Sequence, residues 1–325
     1  MNFKKSFLIL FSFLALIFIL ACNENKGGKN DKFNKLPQSE SELGELLFFD
    51  PILSSDSSIS CASCHKPEFA FSDPVAFSKG VNGKTGNRNT PSAMNQDNHS
   101  SYFWDGRASS LEEQVAGPIE NPVEMNLPIT EAVRRLRRHP YYRDYFLKIT
   151  GSLPNTDNIR NVIAEFERSL SSSDTPFDNY MRLNDSSKFG ASEKRGQKIF
   201  NEKAKCFDCH FGPDFTGDEF RNIGLFNGQE RNDSGRFLIT RKKGDLGKFK
   251  TPGLRNIAQT APYMHDGSFK TLREVIDYYN EPDKFVKQSL NRDTLLNKPL
   301  NLNEQEKTDL QNFLLSLSDR KFSKN

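Results

Sequence analysis

Tryptophan occurs once in this 325-residue chain, cysteine and histidine five times each, and 45 basic against 42 acidic side chains leave a net charge of only +3. So even a balance gives no reason to expect nucleic acid or an acidic substrate as a partner. Long apolar runs are also scarce. The stretch from Phe7 to Ala21 is too short for a comfortable membrane-spanning helix, and no second run of spanning length follows it. Strand-type alternation is weak throughout. With 35% hydrophobic and 11% aromatic residues the chain still carries enough apolar surface for folded cores, and its length suits two ordinary domains.

Lys4 and Lys5 precede the first apolar run, the arrangement of an export signal. Ile19-Leu20-Ala21-Cys22 then resembles a lipobox, in which the cysteine becomes the acylated first residue of the mature protein. A plain signal with a chance cysteine is the rival reading. Residues 1–22 are therefore expected to be signal peptide and lipobox, and the polar stretch 23–36 a flexible tether. The folded part would sit in the periplasm, held to a membrane by the lipid on Cys22 and not spanning it.

The remaining cysteines form two identical patterns, Cys61-Ala62-Ser63-Cys64-His65 and Cys206-Phe207-Asp208-Cys209-His210, leaving none for a disulfide. CxxCH is the attachment pattern of haem c. Two thiols add to the vinyl groups, and the adjacent histidine, His65 or His210, supplies the proximal iron ligand. Zinc is the main rival, because CxxC pairs also bind zinc. Against it, the two pairs stand far apart, each has its own histidine, and the signal argues for export. Two haem c groups are the expected cofactors.

The surroundings of the two units match, as an internal duplication would leave them. Glu42-Leu43-Gly44-Glu45-Leu46-Leu47-Phe48-Phe49 precedes the first and Lys194-Arg195-Gly196-Gln197-Lys198-Ile199-Phe200 the second. Each reads as a short amphipathic helix leading into the haem turn. Closing helices are predicted over Asn158 to Leu170 and over Glu304 to Leu317, the latter with Leu310, Phe313, Leu314 and Leu317 in one stripe. The polar stretch around Asn184-Asp185-Ser186-Ser187 fits a boundary. The expected fold is mostly α: two cytochrome c-like haem domains with long loops, 37–185 and 186–325.

Between and after the CxxCH units lie Arg88-Asn89-Thr90-Pro91-Ser92, Phe103-Trp104-Asp105-Gly106-Arg107, Glu113 to Ile119, Asn121-Pro122-Val123-Glu124-Met125, Gly247 to Pro252, Leu254-Arg255-Asn256 and Ala261 to Gly267. In these motifs the chain resembles the bacterial di-haem cytochrome c peroxidases and their relative MauG, from about Leu43 to Leu317. The resemblance implies an oxidoreductase that reduces hydrogen peroxide at the Cys61 haem, with electrons entering at the Cys206 haem from a small c-type cytochrome or cupredoxin. It is also compatible with a homodimer. A peroxidase needs a group that moves a proton between the peroxide oxygens, and Glu124 matches the family's distal glutamate. Gln114 and Pro118 are implied to line the same pocket, and Trp104 to stand between the haems as the electron conduit.

The far side of each iron departs from the better-known peroxidases. The loop Phe71 to Arg88 contains no histidine, and His99, beyond the Arg88–Ser92 motif, reads as a surface residue. For the second haem Tyr279 matches the axial tyrosine of MauG, with Met264 as the alternative. The resemblance further implies a calcium ion held by the Asn89 side chain and the carbonyls of Thr260 and Pro262. The cluster Arg134, Arg135, Arg137 and Arg138 and the loop Arg241-Lys242-Lys243 suit either an acidic donor or a solvated face. Two other functions stay open: a MauG-like enzyme that oxidises residues of a partner protein, and a di-haem electron carrier.

Overall fold

Glycine decides how the principal helices meet. The computed structural model describes residues 36–322, so the expected signal, the lipidated Cys22 and all but the last residue of the tether lie outside the described residues. Nine helices of eight or more residues occur among the described residues: α1 (Glu40–Phe49), α2 (Leu111–Glu120), α3 (Ile129–Arg138), α4 (Pro140–Thr150), α5 (Thr156–Ser169), α6 (Pro176–Leu183), α7 (Ala191–Asn201), α8 (Leu272–Asn280) and α9 (Glu304–Leu315). Each of the four that frame the haem turns starts on a recognisable device. The Ser39 hydroxyl accepts from the Glu42 amide at α1, and reciprocal capping boxes join Asn155 to Asn158 at α5 and Asn303 to Glu306 at α9. At α7 the Glu193 carboxylate accepts from the Gly190 amide.

In the first half α1 crosses α5 at Gly44, where an added Cβ would lie 1.8 Å from the Val162 carbonyl oxygen and 3.0 Å from Phe166 Cβ. In the second half α7 crosses α9 at Gly196, where the same atom would lie 2.0 Å from the Asp309 oxygen and 2.8 Å from Phe313 Cβ. Only glycine permits either approach. The rings beside these crossings repeat as well: Phe48 meets Phe166 edge-on at 5.0 Å, and Phe200 meets Phe313 at 5.1 Å. The duplication expected from sequence is thus present as two helix crossings built on the same contacts. They match Gly44 to Gly196, Phe166 to Phe313 and, one residue on, Glu167 to Leu314.

Strand content is as slight as expected. One antiparallel pair, β1 (Phe220–Arg221) and β2 (Phe249–Lys250), sets Phe220 opposite Lys250 and Arg221 opposite Phe249. The rest is loop and short turn, and among the described residues no helix is long and apolar enough to cross a membrane.

Helix α6 precedes the expected boundary yet packs into the second core. Phe177 lies 5.3–5.9 Å from the rings of Phe189, Phe215 and Phe313, and its amide donates to the Ser316 carbonyl. On α3 the basic cluster is partly consumed inside the fold. Arg135 donates to the carbonyls of Ile52, Ser54 and Ser55, and Arg137 to that of Pro154.

Candidate active site

Both CxxCH sequences open a single tight turn in which the histidine amide returns to the first cysteine: His65 N to Cys61 O and His210 N to Cys206 O, each 2.9 Å. In the second turn both cysteines and the histidine line one cavity. Each imidazole Nδ1 is then bonded to a backbone carbonyl, His65 to Phe71 and His210 to Phe215, both at 2.9 Å. With Nδ1 occupied, Nε2 is the free ligand atom, the orientation used by iron-ligating histidines. Burial lowers the pKa of both rings and favours the neutral, metal-binding form.

The four thiols form no disulfide. Burial pushes them all up, Cys206 to about 12, so the unattached thiols stay protonated. Among the described residues no group of three or more acidic, histidine or cysteine side chains could hold a metal by itself.

Around the second turn a cavity of about 270 Å³ is lined by Cys206, Cys209, His210, Met264, Tyr279 and Leu314, among others. Both proposed sixth ligands therefore face it. Tyr278 hands its hydroxyl to the Ile223 carbonyl at 2.6 Å, whereas the Tyr279 hydroxyl has no hydrogen-bond partner among the described residues. Its pKa is raised by burial, then by Tyr278, Cys206 and Cys209, and it lines the same cavity as those two cysteines.

On the first side Glu124 is half-buried in the loop after α2. Asn121 Nδ2 donates to Glu124 Oε1 at 2.6 Å, and the Val81 amide donates to the Glu124 carbonyl at 2.9 Å. Gly80 allows that clamp, since a Cβ there would lie 2.2 Å from the Val123 oxygen. Burial raises the Glu124 pKa, against Asn121 and the charge of Arg107. Gln114, on α2, keeps a buried side-chain oxygen with no partner. An unsatisfied buried amide oxygen is costly in an apolar core and suits a pocket that receives a polar ligand. Asn121 and Arg107 were not singled out from sequence, although both stand inside quoted motifs. The positively charged Arg107 lies over the Phe103 ring, 3.4 Å from its centroid.

The Trp104 region joins the two halves. Trp104 Nε1 donates to the Asn89 carbonyl at 2.8 Å, the Asn89 amide to the His265 carbonyl at 2.7 Å, and the Lys250 amide to the Trp104 carbonyl at 2.8 Å. Arg88 forks onto Asp233 at 2.7 and 2.8 Å and also donates to Asp105. Asn89, Thr260 and Pro262 line the same cavity, and neither Thr260 nor Pro262 accepts a backbone hydrogen bond through its carbonyl among the described residues.

His99 corrects the sequence reading. Its side chain is 5% exposed and lines the cavity around the second haem turn, where Nδ1 lies 2.8 Å from both Asp218 Oδ1 and the buried Lys250 Nζ, and Lys250 pairs with Asp218 at 2.9 Å. Its partners are supplied by loops distant in sequence, so nothing local in the chain signalled this burial.

Two covalent-haem turns, each with an oriented proximal histidine, define a di-haem c-type cytochrome. Residues 38–186 match the family model of the di-haem cytochrome c peroxidases, and residues 193–318 that of cytochrome c. The methylamine utilization protein MauG of Methylorubrum extorquens is 38% identical over 88% of this chain and 80% of its own length. Cytochrome c551 peroxidase of Nitrosomonas europaea is 38% identical over 73% of this chain and 71% of its own. The crystal structure of a MauG-like protein associated with microbial copper homeostasis superposes with a TM-score of 0.80 at 32% identity, covering 89% of this chain and 94% of the other. The chain belongs to the di-haem cytochrome c peroxidase and MauG family, and it is an oxidoreductase with two haem c groups.

Proposed function

We propose that this protein reduces hydrogen peroxide to water, drawing electrons from a small c-type cytochrome or similar redox protein. The two haems, bound through Cys61, Cys64 and His65 and through Cys206, Cys209 and His210, supply the one-electron chemistry. The chain supplies proton handling and position. Each turnover consumes two electrons and two protons and releases two waters. The observation that carries the reading is the half-buried Glu124 carboxyl with one oxygen fixed by Asn121. The other oxygen is left to take a proton from one peroxide oxygen and return it to the second. Its burial keeps the carboxyl closer to a working acid/base range than an exposed glutamate. Gln114, with its unpartnered oxygen, orients peroxide or a water.

Trp104, fixed by Asn89 and joined to Lys250, serves as the conduit between the halves. Tyr279 serves as sixth ligand of the second haem, Met264 being the alternative, and Asn89, Thr260 and Pro262 hold calcium. Export and lipidation at Cys22 would place the enzyme at a membrane facing the periplasm. The test is Glu124→Gln: steady-state peroxide turnover with reduced cytochrome c should fall about 10²–10⁴-fold with both haems still attached. An unchanged rate removes Glu124 from this role.

A second reading, oxidation of residues in a partner protein, is favoured by the unpartnered Tyr279 hydroxyl in the cavity that the second haem's cysteines line. Detecting a covalently modified partner after peroxide addition, in place of catalytic turnover, would select it.

A further inference from the structure

Glu167 is a carboxyl that the peroxide chemistry above does not use. It is 7% exposed on α5, and among the described residues its carboxylate has neither a hydrogen bond nor an ion pair. A buried ionisable group without a partner is rare and costly, and such groups concentrate at functional sites. Its place is fixed by the repeat. Phe166 stands against Gly44 as Phe313 stands against Gly196, so Glu167 occupies the position that Leu314 occupies in the second half. Leu314 lines the cavity beside Cys206, Cys209 and His210. The first haem therefore has a carboxyl where the second has a leucine.

Its neighbourhood agrees. The Cys61 thiol is raised first by burial and next by Glu167, ahead of Cys64 in its own turn. Facing Glu167 are Arg168 of its own helix, which is engaged by Glu112, Glu165 and Asp97, and Glu112 of α2. The buried residues of α1, which crosses α5 beside it, are the uncharged Leu43, Gly44, Leu47 and Phe48. Cys61 does not titrate once it is a thioether.

We infer that Glu167 is a positioning group that couples proton uptake to reduction of the first haem. One electron, delivered by the redox partner through the second haem, reaches the first haem, one proton from solvent binds the Glu167 carboxylate, and net charge in the buried pocket stays constant; oxidation reverses both. The physical reason is that adding an electron to a buried site beside a carboxylate raises the cost of that carboxylate's charge. Burial already pushes Glu167 up to about 8, so the exchange falls in an accessible pH range. The inference rests on the assignment of the first haem to Cys61, Cys64 and His65.

The test is a spectroelectrochemical titration of the intact di-haem protein at a series of pH values. In the native protein the first haem's reduction equilibrium should become less favourable by up to tenfold per pH unit near and above pH 8, about 59 mV for one electron. The second haem should lack this slope. Glu167→Gln should flatten the first haem's slope, and Glu167→Asp should restore it. Equal slopes in the native and Glu167→Gln proteins overturn the inference. Should Glu167→Gln fail to take up haem, the redox-difference infrared spectrum of Glu124→Gln decides: a carboxylic acid C=O band must appear on reduction of the first haem, and its absence overturns the inference. Potentials and infrared bands are read without peroxide turnover, so failure here and failure of the peroxidase reading are distinguishable.

Discussion

Replacing Gly196 by alanine tests the helix-crossing account. The new Cβ would lie 2.0 Å from the Asp309 carbonyl oxygen and 2.8 Å from Phe313 Cβ, both anchored in α9. Such contacts settle near ~3.5 Å, so α7 and α9 must part by more than about 1 Å. Overpacking of this kind costs about 1–3 kcal/mol. Alanine also gains up to about 1 kcal/mol over glycine in a helix interior, so the two effects oppose. Because the blocking atom is backbone and not the end of a flexible side chain, the clash wins, and a net loss of about 1 kcal/mol is expected. The assay is guanidinium unfolding followed by far-UV circular dichroism and by the absorption of each haem. Phe313 and Leu314 shift with α9, so the second haem's band should move and the first should not. Gly86, whose added Cβ meets nothing within 4 Å, is the control, and Gly86→Ala should be neutral or slightly stabilising. A Gly196→Ala protein within about 0.5 kcal/mol of the native one would refute the reasoning.

Arg88→Gln should destabilise by about 3 kcal/mol, because it strands the Asp233 carboxylate, whose side chain is 16% exposed, and leaves the 6% exposed Asp105 with Arg107 as its remaining cation. Although burial opposes it, Arg88 holds the Asp233 carboxyl below its ordinary range. That stability is present above about pH 4 and is lost as pH falls, so thermal unfolding of the variant should depend less on acid pH; equal acid sensitivity would count against the ion pair. Tyr279→Phe should change the spectrum of the second haem alone, and an unchanged spectrum would return the sixth ligand to Met264.

The haem turns were legible because CxxCH is local: five consecutive residues carry both thiols and the imidazole. Gly44 and Gly196 were visible within matching stretches, but the purpose of each glycine was not, since the atom it avoids belongs to a helix more than a hundred residues away. The Phe71 and Phe215 carbonyls that orient the histidines are likewise invisible, because any residue offers a carbonyl. His99 was misjudged for the same reason: Asp218 and Lys250 reach it only through tertiary contacts. Helix α6 fell in the expected first half because Asn184 to Ser187 looks like a linker, while Phe177 gives no sequence sign of which core it joins. Glu167 went unnoticed inside a well-formed closing helix, where glutamate is ordinary; only alignment with Leu314 through the glycine crossings makes it unusual.

The paired crossings make each half of this molecule the other's control. At the crossings the glycine, the ring packing and the proximal histidine recur, while Ala62 and Ser63 stand where Phe207 and Asp208 do, and Glu167 where Leu314 does. Differences in potential, ligand access and proton affinity between two chemically identical cofactors can therefore be traced to a small set of side chains. Exchanging them in pairs would show how far a shared scaffold can be retuned without altering its backbone.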